Sequence, residues 1–166
     1  MRCIWQQKTF VALVARDFSC LITDYPWRSC YLTPFVPTSR PDILDLLDPN
    51  HGDAPRPSHG LLLTSMYADA FNRYTCSLYP VGDGTYIIHV FNFSTGRDGV
   101  VHGSRIDRSR FRGSDEDLPN EDLLRWHYRQ CVLMNIRRWA VAEYAVSVSD
   151  KARRLGKKRR ADAFAA

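Results

Sequence analysis

The chain has 166 residues, of which 45% are hydrophobic and 25% charged. This is the balance of a soluble globular protein long enough to bury a core, not of a collagenous or low-complexity chain. Its formal net charge is +5. Seven basic residues and no acidic one fall within 151–160, Lys-Ala-Arg-Arg-Leu-Gly-Lys-Lys-Arg-Arg, leaving 16 basic against 18 acidic residues elsewhere. The body is therefore not a basic protein, and the basic character belongs to a tail.

No apolar run approaches the roughly 18 residues that span a bilayer, so no membrane partner is expected. The longest apolar run near the N-terminus, 10–15, is short for a signal region and is followed at once by Arg16-Asp17. The five cysteines are odd in number and include no Cys-x-x-Cys pair, which argues against a disulfide framework or a zinc ribbon and for reduced thiols in an intracellular protein. A single Cys20–Cys30 bridge stays open on these grounds.

In chain order, Phe10, Leu13 and Val14 at helical spacing predict a short helix over 8–16. Cys20–Thr23 reads as a short strand broken by Asp24-Tyr25-Pro26, and Tyr31–Phe35 as the next. Residues 36–59, with five prolines, read as a loop, in which 41–47 could form one or two helical turns with Pro41 early. Gly60–Thr64 is an apolar strand. Ser65 follows as the N-cap of a helix to about Arg73. Thr75–Pro80 and Thr85–Phe93 flank Val81-Gly82-Asp83-Gly84, a hairpin signal, and 100–106 could add a strand. Residues 107–118 read as a charged loop. Asn120 is the expected cap of a long helix through about Ser147, with Leu124, Tyr128, Cys131, Asn135, Trp139, Ala142 and Val146 on one buried stripe. Trp126 and Trp139 are expected to pack, and His127 to be a core or interface histidine.

Arg16-Asp17-Phe18-Ser19-Cys20-Leu21-Ile22-Thr23 resembles the opening run of the fungal-type HNH nuclease family. Cys30–Phe35, His59-Gly60-Leu61-Leu62-Leu63 and Phe71-Asn72-Arg73 resemble that family's later motifs, and Leu123–Cys131 resembles its C-terminal helical segment. The resemblance implies an α+β fold with a ββα-metal core, a β-hairpin extension and a long C-terminal helix. The resemblance covers roughly residues 10–95 and Leu123–Cys131. With the composition of the rest, the chain is expected to divide into an HNH-like domain over 1–106, a charged loop and helix over 107–149, and a basic tail over 150–166 that lacks an apolar face and is expected to be disordered. In such a site the first histidine deprotonates water, the middle asparagine orients it, and the last histidine holds a divalent metal.

Here those positions fall on Tyr31, His59 and Ala68. A phenol ordinarily keeps its proton at neutral pH, and alanine has no donor atom. Asn72 stands where the family carries an aspartate. The implied function is a nuclease-fold module with weak or lost hydrolysis that binds nucleic acid or a protein partner.

Two alternatives are weighed beside it. In one, an active endonuclease using Mg, Mn or Zn rebuilds its metal site from His59, His51, Asp53 and Asp69; without activity no cofactor is expected. In the other, the protein self-associates through the long helix as a homo-oligomer. Arg153, Arg154, Lys157, Lys158, Arg159 and Arg160 are the expected nucleic-acid contacts, and Lys157–Arg160 is compact enough for a nuclear import signal.

Overall fold

A computed structural model describes residues 4–50, 52, 56–92 and 101–164. The fold is mixed α+β with two small antiparallel sheets and a long C-terminal helix. Helix α1 (Ile4–Asp17) leads to β1 (Cys30–Pro34). Helix α2 (Pro41–Leu47) lies in the connection to β2 (Gly60–Thr64), and α3 (Ser65–Asn72) follows β2 directly. Strands β3 (Cys76–Gly82), β4 (Thr85–Val90) and β5 (Arg105–Ile106) form the second sheet in that order. Helix α4 runs from Glu121 to Phe164. By its internal contacts the chain divides into two compact units, residues 1–132 and 133–166.

β1 and β2 pair antiparallel, with Tyr31 opposite Leu63 and Pro34 opposite Gly60. Leu61, Leu62 and Leu63 are all buried, because α1 and α3 both pack against this strand. The unbroken leucine run thus serves a strand covered on both faces. Gly60 is required by a close approach: a Cβ there would stand 2.9 Å from the Thr33 carbonyl oxygen.

In the second sheet, Gly82 pairs with Thr85, leaving Asp83 and Gly84 as the turn. Both have positive φ, 53° and 66°, the pattern of a type I′ hairpin turn. Gly84 is also tightly covered, since a Cβ would meet the Arg108 side chain at 2.8 Å.

One continuous core joins both sheets to the start of α4, from Cys20 and Phe35 through Leu61, Phe71 and Tyr86 to Leu123 and Leu124. Its polar keystone is the Arg16–Asp17 pair at the end of α1. Arg16 is 1% and Asp17 0% exposed. Arg16 Nε and Nη2 donate to the Asp17 carboxylate at 2.5 and 2.9 Å. The guanidinium also donates to the carbonyls of Pro57, Gly60 and Asp117 at 2.8, 2.9 and 3.0 Å. Asp17 Oδ2 accepts the Leu62 N–H at 3.0 Å. Burial pushes the Asp17 carboxyl up, while the Arg16 guanidinium and the Leu62 N–H oppose that shift.

Several expectations are corrected. Cys20–Thr23 is a turn, with only an isolated Ser19–Pro26 bridge. Asp24, in a left-handed conformation, reverses the chain before a strand can form. Ser65 is the first residue of α3 rather than its cap. The cap position is Thr64, which makes no side-chain capping bond. Of the strand expected over 100–106, residue 100 lies outside the described residues, and within 101–106 only Arg105–Ile106 is strand.

Helix α4 does not end near Ser147, and residues 150–164 are helical rather than disordered. Lysine, arginine and alanine are good helix formers, and an apolar face is not needed for the backbone to continue. The expected buried stripe also stops early. Leu124 and Cys131 are buried, but Trp139 is 66% exposed.

Asn120 caps α4 as expected, its Oδ1 accepting the N–H groups of Asp122 and Leu123 at 3.0 and 3.1 Å. Asn120→Ala should lower stability by about 1 kcal/mol, read as a fall in the urea midpoint with an unchanged slope.

Candidate functional site

The β1–loop–β2–α3 unit carries the positions singled out in the sequence. Tyr31 lies on β1 and is 49% exposed. Ala68 lies on α3 and is 7% exposed, a core position facing no donor of its own. His59 is the last residue of a 3-10 turn, Pro57–His59, that feeds β2.

Tyr31 and His59 sit at opposite ends of the ribbon. Tyr31 is opposite Leu63, whereas the Phe35 N–H donates to the His59 carbonyl at 3.0 Å. Four strand steps separate them, about 13 Å at roughly 3.3 Å per residue. The unit does not bring the two side chains to one point.

His59 is 7% exposed, and both of its ring nitrogens are engaged. Nε2 lies 2.8 Å from Asp48 Oδ2, and Nδ1 faces the Arg56 N–H at 3.5 Å. With Nδ1 accepting, Nε2 carries the hydrogen and donates to Asp48. The ring is thus held as a strut between the loop after α2 and the start of β2. Neither nitrogen is left as a free base or ligand.

Asp69 does not take the place of the missing donor at Ala68. It is exposed on α3 and ion-pairs with Arg73 at 3.0 Å, one helical turn later. Asn72 is exposed at the end of α3. His51 and Asp53 lie outside the described residues. Among the described residues no group of three or more His, Cys, Asp or Glu side chains is placed to hold a metal ion. A phenol, a methyl group and an engaged imidazole do not fit the donor set that a divalent ion needs.

Cys20 and Cys30 are free buried thiols. Cys20 Sγ accepts the Thr64 N–H at 3.4 Å, and the Cys30 thiol donates to the Pro26 carbonyl at 3.5 Å. Burial, aided by the neighbouring Cys20, pushes the Cys30 thiol up to about 11. Such a thiol stays protonated and inert at neutral pH.

Arg153, Arg154, Lys157, Lys158, Arg159 and Arg160 all lie within α4. They therefore belong to a helix, not to an extended tail.

Two polar arrangements escaped sequence reading. Asp48 was not linked to His59, because eleven residues and several prolines separate them and no spacing rule joins them. The burial of Arg16-Asp17 was equally hidden, although a charged pair ending an apolar helix and preceding a turn was a usable hint.

Comparison with protein-family models, characterised proteins and solved structures gives no match to this chain.

Proposed function

We propose that this protein is an HNH-type nuclease-fold module that has lost hydrolysis and binds nucleic acid through the basic end of α4. The observation that carries the loss of hydrolysis is the state of the three key positions. Tyr31 and Ala68 offer neither base nor ligand, and His59 is committed to Asp48 at 2.8 Å. The order of strand, loop, strand and helix supports the fold part of the reading. The seven basic residues of 151–160, set against a body that is slightly acidic, support the binding part. This concentration of charge also suits nuclear import.

The test has two arms. Supercoiled plasmid and single-stranded RNA are incubated with folded protein and Mg²⁺, Mn²⁺ or Zn²⁺. No cutting is expected; metal-dependent cutting abolished in His59→Ala would establish a rebuilt active site instead. In the second arm, duplex DNA and RNA binding is measured against salt for the full chain and for a variant with Lys157, Lys158, Arg159 and Arg160 changed to glutamine. The variant should bind more weakly. Its salt slope on duplex DNA should flatten by about 0.9 for each phosphate that the variant no longer neutralises. Equal slopes would sink the binding assignment.

A further inference from the structure

A cleft within residues 1–132 gathers acidic side chains from three separate elements. It encloses about 460 Å³, within the roughly 300–1,000 Å³ usual for small-ligand sites. Asp48 follows α2 directly, Glu116 belongs to a 3-10 turn (Asp115–Asp117), and Asp122 lies in the first turn of α4. Other acids nearby are already matched. Asp115 pairs with Arg108 at 3.0 Å and Glu121 with Arg125 at 3.1 Å, as Asp48 does with His59. Glu116 and Asp122 have no ion pair or side-chain hydrogen bond among the described residues.

A second observation is independent of charge. Ser58 lines the same cleft and is 8% exposed. Its hydroxyl finds no hydrogen-bond partner among the described residues, yet it is not sealed from solvent, so it opens on the cleft. Buried hydroxyls are ordinarily hydrogen-bonded, and this one has its capacity turned toward a ligand. The three groups are also held in place. Arg16 donates to the carbonyls of both Pro57 and Asp117, tying the turn of Ser58 to the turn of Glu116. The Asn120 N–H donates to the Ser58 carbonyl at 2.8 Å, setting Ser58 beside the start of α4.

The chemistry selects the ligand. An anion is not suited, because Asn120 Oδ1 already takes the N–H groups of Asp122 and Leu123. A metal ion is not suited either, since among the described residues no three such donors converge. The rest of the wall includes Tyr86, Leu118 and Pro119. A guanidinium is planar and weakly hydrated, so it can lie against such a wall while its fork of N–H donors reaches carboxylates; an ammonium is compact and strongly hydrated.

We propose that this cleft binds the guanidinium of an arginine side chain in a peptide partner, its N–H groups donating to Glu116, Asp122 and the Ser58 hydroxyl. A peptide arginine is favoured over the free amino acid, whose own carboxylate the acids of the cleft would repel. This site does not rest on the nuclease-fold reading and takes a ligand of the opposite charge.

The experiment is calorimetric titration of the full chain at low salt with N-acetyl-arginine amide, N-acetyl-lysine amide and free arginine. The arginine amide should bind roughly tenfold more tightly than the other two. Glu116→Gln and Asp122→Asn should each weaken it roughly threefold to tenfold, and Ser58→Ala roughly threefold, with near-UV circular dichroism unchanged. Absence of binding, or binding unchanged in the double carboxylate variant or in Ser58→Ala, would overturn the site. Equal binding of the lysine amide would overturn the guanidinium assignment, and equal binding of free arginine the peptide source.

Discussion

Replacing Asp17 with alanine is expected to lower folding stability by about 3–5 kcal/mol. That is a large share of the roughly 5–15 kcal/mol that holds a typical domain together. The change strands the Arg16 guanidinium, 1% exposed, with no counter-charge, and removes the acceptor of the Leu62 N–H. Arg16 cannot escape to water, because its other donors are fixed on the carbonyls of Pro57, Gly60 and Asp117. Asp17→Asn keeps an acceptor for Leu62 but not the charge, so it should fall between wild type and alanine. Urea unfolding with fitted slopes decides the matter. A loss under about 1 kcal/mol for the alanine variant would mean that Arg16 finds another partner or solvent and that the pair is no keystone.

The second large effect is on acid stability and belongs to His127. Its ring is 2% exposed and stacks on Phe71, with centroids 3.6 Å apart. Nε2 donates to the Phe71 carbonyl at 3.1 Å, and Nδ1 accepts from the Ser77 hydroxyl at 2.8 Å. This pattern uses the neutral ring. Burial pushes its pKa down to about 3, with the Phe71 carbonyl partly opposing. In the unfolded chain it titrates near 6.5.

Between those values the unfolded state holds a proton that the folded state refuses, so stability rises with pH across that window. The contribution is fully present above about pH 6.5. It is lost on acidification at up to about 1.4 kcal/mol per pH unit. His127→Gln keeps a donor and an acceptor but does not titrate. It should be less stable at pH 7, and its stability should fall less steeply from pH 6.5 to pH 4. Parallel curves for the two proteins would show that the ring is not held neutral.

Legibility of the fold in the sequence followed the range of the interactions involved. The hairpin was readable because Asp83-Gly84 suits a turn with two positive φ values, a preference local to two residues. Asn120 was readable for the same reason, since its carboxamide serves N–H groups two and three positions ahead. The strand–loop–strand–helix order over 30–72 could be read from short apolar runs and prolines.

What could not be read depends on distant partners. His59 looked like a spare imidazole because Asp48 reaches it only after the loop has folded back. Trp139 continued a helical stripe in the sequence, but periodicity cannot say where the body covering that stripe ends. The helix beyond Ser147 carries no apolar face to mark it in the sequence, and backbone propensity alone continues it.

The reach of Arg16 also has a consequence for how the chain is made. Its guanidinium binds carbonyls 41, 44 and 101 residues further on. The last of these, on Asp117, leaves the ribosome only after both sheets have been synthesised. During translation, at roughly 5–20 residues per second, α1 therefore emerges with its terminal charge pair unsheltered and waits several seconds for the segment that closes over it. Closure over this charge pair waits until synthesis has passed Asp117. Non-local contacts of this kind slow the final step.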